Sequence, residues 1–333
     1  MPDSHNQPLL EVENLEVGFR VSRGSASFRP ALLKAVDGVS MHIARGETLG
    51  LVGQSGSGKS TTARAILQLV APTAGSVKFE DVELSGAGRS GQKLLRRRAQ
   101  MVFQDPFGSL NPRLKVDQII REPLEIHGIG DKSSRLRRIT ELLDLVSLPK
   151  DAAGRYPHEF SGGQRQRIGI ARALAIEPSL IVCDEPVAAL DVSVQAQILQ
   201  LLKEVQRETG VAYLFIAHDL NVIQYISQRT MVMYLGKVVE QGPSRTIFNS
   251  PHHPYAQALS SAIPTADPDS SRNRLILNGE IPSRTDPPSG CRFRTRCPHA
   301  RERCAIEEPK LEPVADGVSV ACHFWREIEA ENN

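Results

Sequence analysis

The 333-residue chain predicts an α/β fold with a mainly parallel central sheet. Short apolar runs, such as residues 180–183 and 212–217, have the length and composition of buried strands. Between them, residues 192–208 repeat apolar side chains at helical spacing and stop before Gly210. A third observation is a glycine-rich loop that follows one apolar strand and opens a helix. Strands that alternate with helices in this way predict a sheet with helices packed on its faces.

The N-terminal third supplies further elements of the same kind. Residues 9–19 read as a strand, and residues 41–53 read as a strand pair interrupted by a turn. Residues 60–70 have helical spacing, and a proline that follows ends the helix. Residues 101–103 form another buried strand, which ends at Gln104. The first strands are expected to add an antiparallel part to the parallel core.

Changes in composition divide the chain into three parts. Residues 105–164 are charged, have helical spacing and contain several prolines, so they are predicted to be a helical insertion. The parallel-sheet pattern then resumes, and a hairpin is expected to turn at Gly236. Beyond residue 250, frequent prolines indicate a linker. We therefore expect a core formed by residues 9–104 and 165–250, a helical subdomain at 105–164, and a linker with a small extension at 251–333.

Composition and charge exclude several classes of protein. The formal net charge of +2 is too small to predict a nucleic-acid partner, so none is expected. The longest apolar runs fall short of the roughly 18 residues needed to cross a bilayer. The polar N-terminus does not have the features of a signal peptide. These observations predict a chain in the cytosol that could dock on a membrane protein.

A phosphate-binding loop is predicted at residues 53–60, which fit the pattern G-x-x-x-x-G-K-[ST]. Backbone N–H groups of such a loop surround nucleotide phosphates, and its lysine contacts the β- and γ-phosphates. Lys59 has that position, while the Ser60 hydroxyl is expected to bind Mg²⁺. The residues predicted to contact the nucleotide here are Gly53, Ser55, Gly56, Ser57, Gly58, Lys59, Ser60 and Thr61.

Two carboxylates, Asp184 and Glu185, end the apolar run at residues 180–183. A strand that ends in acidic residues is common, but together with a phosphate loop it indicates a magnesium site. We assign Asp184 to Mg²⁺. Glu185 is then free to orient and deprotonate the attacking water, although a solvated or capping glutamate is the simpler alternative.

Residues 161–164, Ser-Gly-Gly-Gln, form a second glycine-rich segment at the predicted start of a helix. The hydroxyl of Ser161, the backbone amides and the helix dipole would all favour a phosphate. Gly162 and Gly163 allow a close approach of the backbone, and Gln164 completes the segment. Taken alone, this segment could also be an ordinary flexible turn.

Over residues 9–264 the order of these motifs resembles that of the ATP-binding subunits of ATP-binding-cassette (ABC) transporters. The resemblance implies a P-loop cassette with a RecA-like ATP-binding core, ATPase activity, and ATP and Mg²⁺ as ligands. It implies catalytic roles for Glu185, His218 and Gln104, with Gln104 also near Mg²⁺. Asp191 corresponds to the D-loop, and Phe19 either stacks on adenine or is a plain core aromatic. Two departures are Phe160 for leucine and Ala188 for serine.

In this family two cassettes close head to tail, with each ATP between the phosphate loop of one and the Ser161-type segment of the other. The resemblance therefore implies a second ABC ATPase subunit, with a heterodimer preferred over a homodimer. It also implies two transmembrane permease subunits and, indirectly, an extracytoplasmic substrate-binding protein. The chain is then expected at the cytoplasmic face of the inner membrane, as a peripheral subunit.

The C-terminal part resembles the extension of the dipeptide/oligopeptide permease branch. The resemblance rests on His252-His253-Pro254-Tyr255, Gly290-Cys291 and Cys297-Pro298. It implies an ATP-hydrolysing subunit that energises the import of dipeptides or oligopeptides. The alternative is the same role in an importer of nickel, glutathione or another small solute. Less favoured are an exporter, a soluble cassette in DNA repair or translation, and a module that holds ATP without hydrolysing it.

Four cysteines lie close to the C-terminus with the spacing C-x5-C-x6-C-x17-C. Little apolar sequence surrounds them, so a cross-linking metal is a reasonable hypothesis. Structural zinc sites usually contain a shorter C-x2-4-C spacing, whereas four thiolates can hold an iron–sulfur cluster. The permease resemblance implies a [4Fe–4S] cluster, with zinc or four reduced thiols as alternatives. The predicted ligands are Cys291, Cys297, Cys304 and Cys322.

Overall fold

The computed structural model describes residues 7–21, 31–86, 88–105, 107–262, 275, 277, 279–314 and 317–332. These residues divide into two compact units. The first unit contains residues 42–48 and 78–216 together with the start of the described chain. The second unit contains the described parts of 12–41, 49–77 and 217–333.

The strands are numbered in chain order. They are β1 (Leu10–Val21), β2 (Ala31–Ile43), β3 (Thr48–Val52), β4 (Ala74–Phe79), β5 (Val82–Glu83), β6 (Ala99–Val102), β7 (Leu180–Asp184), β8 (Ala212–Ile216), β9 (Arg229–Tyr234), β10 (Lys237–Pro243), β11 (Glu312–Pro313) and β12 (Ser319–Val320).

The α-helices are numbered in the same way, and two short 3₁₀ segments lie at Lys150–Gly154 and Pro157–Glu159. The helices are α1 (Lys59–Ile66), α2 (Arg89–Arg98), α3 (Val116–Ile126), α4 (Lys132–Leu145), α5 (Gly162–Leu174), α6 (Val192–Thr209), α7 (Leu220–Ile226), α8 (Ser244–Asn249), α9 (Pro254–Ser261), α10 (Glu302–Ile306) and α11 (Trp325–Asn332). No helix within the described ranges is long and apolar enough to cross a membrane.

The sheet of the first unit is parallel, with β7 between β6 and β8. Every residue of β7 and β8 is buried, which explains why both sequences, apart from Asp184 at the end of β7, are continuous apolar runs rather than alternating ones. The register places Val102 beside Cys183 and Asp184 beside Ile216. The strands end at one edge of the sheet, so the residues that follow β6 and β7 lie close together. The predicted α/β fold with a parallel core is confirmed.

The predicted helical character of residues 105–164 is confirmed by α3, α4 and the two 3₁₀ segments. Helices α3 and α4 bury apolar faces that include Ile120 and Leu142. Helix α4 begins after Asp131, whose carboxylate accepts a hydrogen bond from the Ser134 backbone N–H at 2.7 Å. Such a cap satisfies one of the donors left without a partner at a helix start. The boundaries proposed for the domains stay a prediction.

In the second unit, β3 is parallel to β9, and β9 forms the predicted hairpin with β10. Strand β10 pairs in turn with β12, and β12 pairs with β11, both antiparallel. Glu240 lies opposite Val320 in this pairing. The C-terminal extension therefore adds two short strands to the sheet that contains β3, a feature that sequence patterns did not predict.

The N-terminal strands of the second unit follow the order β2-β1-β4. Strand β1 alternates buried and exposed residues over much of its length, which is typical of a strand with one face on the core. The last two residues of β4, which belong to the first unit, pair with β5 in antiparallel register.

The C-terminal extension buries apolar residues of its own, partly against strand β9. The ring of Phe293 is 1% exposed and lies 5.2 Å from the ring of Tyr234 and 5.4 Å from that of Tyr255. Val318, Val320 and Ile328 are also buried. These contacts stabilise the extension by burial of apolar and aromatic surface.

Candidate functional site

The phosphate loop connects β3 to α1 in the second unit. Lys59 is only 5% exposed, and its ammonium group donates hydrogen bonds to the backbone oxygens of Gly53 at 2.7 Å and Gln54 at 3.2 Å. The loop therefore holds its lysine inward, against its own backbone. Helix α1 begins at Lys59, so the positive end of the helix dipole faces the loop. Amide groups at this helix start, together with the lysine, form a site suited to an anion.

Two glycines of the loop have backbone conformations that other residues rarely adopt. Gly53 has φ +150°, and a Cβ atom there would lie 2.2 Å from the backbone oxygen of Met233. Gly58 has φ +109°, and a Cβ atom there would lie 2.4 Å from the backbone oxygen of Ala35. Neither backbone oxygen can move without disturbing its strand. The loop path consequently requires glycine at both positions.

The carboxyl edge of the first unit's sheet brings together three of the predicted side chains. Asp184 is the last residue of β7 and is 5% exposed, whereas Glu185 follows it with φ 50°. The Glu185 backbone N–H donates to the oxygen of Ile216 at 2.9 Å, which fixes this turn. Gln104, two residues beyond β6, donates from Nε2 to Oε2 of Glu185 at 3.0 Å. A carboxylate oriented by an amide is an arrangement that can position a water molecule.

The second glycine-rich helix start is capped by its own residues. The Ser161 hydroxyl accepts a hydrogen bond from the Gln164 backbone N–H at 3.4 Å, and the Gln164 side chain accepts one from the Ser161 N–H at 3.0 Å. This reciprocal pair is a capping box, and it fixes the start of α5. Gly163 is buried, and a Cβ atom there would lie 2.4 Å from Cγ1 of Val194. Ser161 itself is exposed.

Three other predicted residues are exposed. Asp191 precedes α6, and its side chain makes no capping hydrogen bond. His218 follows β8 by two residues, next to Ala217, whose N–H donates to the Leu51 oxygen of β3 at 3.4 Å. Phe19 lies on β1 with 38% of its surface exposed, unlike the fully buried Phe79 and Phe215. The functional roles of these residues remain predictions.

Sequence patterns missed the contacts that the C-terminal extension makes with the phosphate loop. The Tyr255 hydroxyl accepts a hydrogen bond from the Gln54 backbone N–H at 2.9 Å. Arg296 donates from Nη1 to the Gln54 side-chain oxygen at 3.0 Å. Arg284 lies over Gly56, where an added Cβ atom would be 2.1 Å from Nη2. Residues 54–57 and 281–284 line a cavity of about 300 Å³.

The prediction of an iron–sulfur cluster was wrong, and zinc is likewise without support. Among the residues that the structure describes, no group of three or more His, Cys, Asp or Glu side chains could hold a metal ion. The cysteines are free thiols, and burial raises the pKa of Cys297 to about 12 and that of Cys322 to about 11. The premise of too little apolar sequence also fails, because Phe293, Val318, Val320 and Ile328 of the extension are buried.

Two family models match the chain. Residues 36–188 match the model described as ABC transporter. Residues 239–304 match the model described as oligopeptide/dipeptide transporter, C-terminal region. The first match contains the phosphate loop, Gln104, Ser161 and Glu185, and the second contains Tyr255 and Arg296.

Several curated proteins are similar to this chain over nearly its whole length. The "Putative oligopeptide transport ATP-binding protein YkfD" of Bacillus subtilis (strain 168) is 50% identical over 327 residues, which cover 97% of this chain and 98% of that protein. The oligopeptide transport ATP-binding protein AppF of the same organism is 46% identical, covering 98% of this chain and 100% of that protein. Among solved structures, the ATP-binding cassette MJ0796, in a dimeric post-hydrolysis state bound to ADP and Pi, is 30% identical with a TM-score of 0.63. That match covers 71% of this chain and 99% of the other.

Proposed function

We propose that the chain, which belongs to the ATP-binding proteins of ABC transporters, energises the import of dipeptides or oligopeptides. The family consists of ATPases, and the energy would come from ATP hydrolysis. The observation that carries the proposal is the pairing of two matched regions in one chain. An ABC cassette is followed by the C-terminal region of oligopeptide/dipeptide transporters. Relatives with 46–50% identity over almost the full length are named for peptide or oligopeptide transport, which supports the same cargo here.

We assign nucleotide binding to the phosphate loop and the start of α1. The Lys59 ammonium, which the loop oxygens hold in place, would exchange these contacts for the β- and γ-phosphates. The backbone amides of residues 55–61 would surround the phosphates, and the exposed ring of Phe19 would stack on the adenine.

We assign the activation of water to Glu185. Its carboxylate would take a proton from the water as the water oxygen attacks the γ-phosphorus and ADP leaves. The hydrogen bond from Gln104 supports this role, because it gives the carboxylate a fixed direction. His218, exposed beyond β8, would contact the γ-phosphate and the water. The nucleotide bound by a partner cassette would be contacted by Ser161, Gly162, Gly163, Gln164 and Asp191.

Magnesium would accompany the nucleotide. Mg²⁺ prefers neutral and anionic oxygen ligands, and such oxygens are present on Ser60, Gln104 and Asp184. Asp184 is buried at the end of β7. Mg²⁺ in such sites keeps several water and phosphate ligands, so it needs few protein carboxylates. When bound, it neutralises charge on the β- and γ-phosphate oxygens.

ABC ATPases work as dimers with transmembrane permease partners, and the solved cassette MJ0796 is itself dimeric. For this chain we propose a heterodimer with a second, related cassette. Two permease subunits would hold the pair at the cytoplasmic face of the inner membrane, and a substrate-binding protein outside would select the cargo.

Reconstituted transport tests the proposal. The chain, its partner cassette and the two permease subunits are placed in proteoliposomes with ATP inside, and the substrate-binding protein is added outside. We expect uptake of labelled dipeptides or oligopeptides that requires ATP. Uptake of nickel or glutathione without uptake of peptides would overturn the peptide cargo and favour the alternative solute.

A further inference from the structure

Gln54 is the residue at which the phosphate loop meets the C-terminal extension. Its backbone N–H donates to the Tyr255 hydroxyl at 2.9 Å, and its side-chain oxygen accepts from Arg296 Nη1 at 3.0 Å. These partners lie 201 and 242 residues further along the chain. Both the main chain and the side chain of one loop residue are thus held from outside the loop.

The third polar group of Gln54 connects this contact to the lysine that binds phosphate. The Gln54 backbone oxygen accepts a hydrogen bond from the Lys59 ammonium at 3.2 Å. A shift of the Gln54 peptide therefore moves one of the two loop oxygens that hold Lys59 in place, the other being that of Gly53.

Arg296 and Tyr255 are themselves firmly supported. Tyr255 is fully buried at the start of α9, and the ring of Phe293 packs against it. The N–H of Arg296 donates to the Phe293 backbone oxygen at 2.9 Å. One turn earlier, Arg292 forms a salt bridge with Asp37 of β2 and a hydrogen bond with the Leu235 oxygen. The extension is anchored to the same unit as the loop, and Arg296 projects from that anchor.

From these contacts we propose that Arg296 is a positioning residue for ATP, which holds Gln54 and, through Gln54, the phosphate loop and Lys59. The inference rests on the assignment of ATP binding to this loop, and it adds a role for the C-terminal extension within that site.

The physical basis is preorganisation. A loop held in its binding conformation before the ligand arrives does not have to be ordered at the expense of binding energy. Loss of the Arg296 contact would let the Gln54 side chain and peptide sample other conformations, so part of the ATP binding energy would be used to order them. The chemistry at Glu185 belongs to the other unit and would not change. The expected signature is therefore weaker ATP binding with little change in kcat.

Nucleotide affinity of the full-length chain tests this inference. Arg296→Ala removes the donor, Gln54→Leu removes the side-chain acceptor but keeps the backbone N–H, and the double variant removes both. Arg296→Lys restores a cationic donor. Arg294→Ala is the matched control, because Arg294 is a neighbouring arginine whose hydrogen bonds go to Ser289 within the extension. ATP affinity is measured by equilibrium binding for each variant, and KM and kcat by phosphate release.

We expect Arg296→Ala and Gln54→Leu each to weaken ATP binding about tenfold, the order expected for loss of one charge-assisted hydrogen bond. KM should rise in parallel, with kcat changed less than about twofold. The double variant should be no worse than either single variant, and Arg296→Lys should recover part of the loss. Thermal melts must show that each variant remains folded.

Wild-type affinity in a folded Arg296→Ala variant, or additive losses in the double variant, would overturn the inference. An equal loss in Arg294→Ala would also overturn it, because the effect would then belong to the extension in general. A failed uptake assay would count against the peptide cargo and leave this inference standing, since the readout is nucleotide affinity. If Arg296→Ala unfolds the extension, Gln54→Leu decides the question, because it leaves the extension unchanged.

Discussion

The side-chain amide of Gln104 donates a 3.0 Å hydrogen bond to the carboxylate of Glu185, 81 residues further along the chain. The two side chains meet because β6 and β7 are adjacent parallel strands, with Val102 beside Cys183. Gln104 lies between β6 and the helical segment at residues 105–164. A displacement of Gln104 would therefore act directly on the Glu185 carboxylate that accepts its hydrogen bond. The bond links the position of that segment to the direction of the proposed catalytic base.

Glu185→Gln should retain ATP binding and lose most ATP hydrolysis. An amide cannot accept the proton of the attacking water, and general bases typically contribute about 10²- to 10⁴-fold to a rate. Steady-state phosphate release gives turnover, and equilibrium binding gives nucleotide affinity. Glu141→Gln, at an exposed carboxylate with one weak ion pair, is the control and should behave as wild type. Unchanged turnover in Glu185→Gln would rule out Glu185 as the base.

Gly53→Ala should abolish ATP binding and destabilise the fold. The new Cβ atom would lie 2.2 Å from the Met233 oxygen at a φ of +150°, so the loop has to move. Strain of this kind costs on the order of 1–3 kcal/mol or more. Thermal denaturation and nucleotide binding measure the effect. Gly154→Ala is the matched control, because a Cβ atom there meets nothing within 4 Å. Equal behaviour of the two variants would contradict the geometry of the loop.

Ser161→Ala should leave ATP binding by the isolated chain nearly unchanged but slow ATP hydrolysis by the assembled pair of cassettes. The variant loses the cap on α5, which costs about 1 kcal/mol of stability. Because Ser161 is proposed to contact the nucleotide of a partner cassette, ATP affinity of the isolated chain should change less than about twofold. Turnover of the assembled transporter should fall at least about tenfold. A large loss of affinity in the isolated chain would argue against the head-to-tail arrangement.

His253→Asn should make stability less sensitive to acid. Burial lowers the pKa of His253 to about 3, against about 6.5 in an unfolded chain. Between these values the unfolded chain binds a proton that the folded chain does not, so the free energy of unfolding falls as the pH is lowered. The contribution of His253 to this fall is about 2 kcal/mol between pH 6.5 and about pH 5.

Asparagine keeps an acceptor for the Tyr255 N–H, which His253 binds through Nδ1 at 3.0 Å. Denaturant unfolding of wild type and variant at about pH 5 and pH 7 gives the comparison. Burial raises the pKa of Glu240 to about 7, so Glu240 makes the free energy of unfolding rise as the pH is lowered. Glu240 is present in both proteins, so its contribution largely cancels in the comparison. Identical pH dependence in the two proteins would show that His253 does not supply this acid sensitivity.

Sequence patterns predicted the strands and helices of the cassette because those patterns are local. Apolar runs at residues 180–183 and 212–217 became the buried strands β7 and β8, and α6 ended before Gly210 with φ +70° as expected. The G-x-x-x-x-G-K-[ST] loop lies between a strand and a helix, as the motif requires. The order of these motifs was also sufficient to indicate the family.

The cysteines show the limit of such patterns. The clustering of four cysteines and the resemblance to the permease branch favoured a metal, but neither reveals what packs around the thiols. In the fold, Phe293, Val318 and Val320 supply apolar contacts that the sequence disperses over nearly thirty positions. Burial raises the pKa of the Cys297 and Cys322 thiols, and no group of side chains among the described residues could hold a metal ion, so the metal hypothesis failed.

The sequence by itself determined the α/β cassette, the phosphate loop and the residues proposed for ATP chemistry, because each depends on near neighbours in the chain. Only the tertiary structure decided that Gln104 meets Glu185 and that Arg296 holds Gln54. Those contacts join residues 81 and 242 positions apart, and no local pattern shows that the two partners of either contact meet. They form because the packing of neighbouring strands and of the aromatic cluster brings distant segments of the chain to one place.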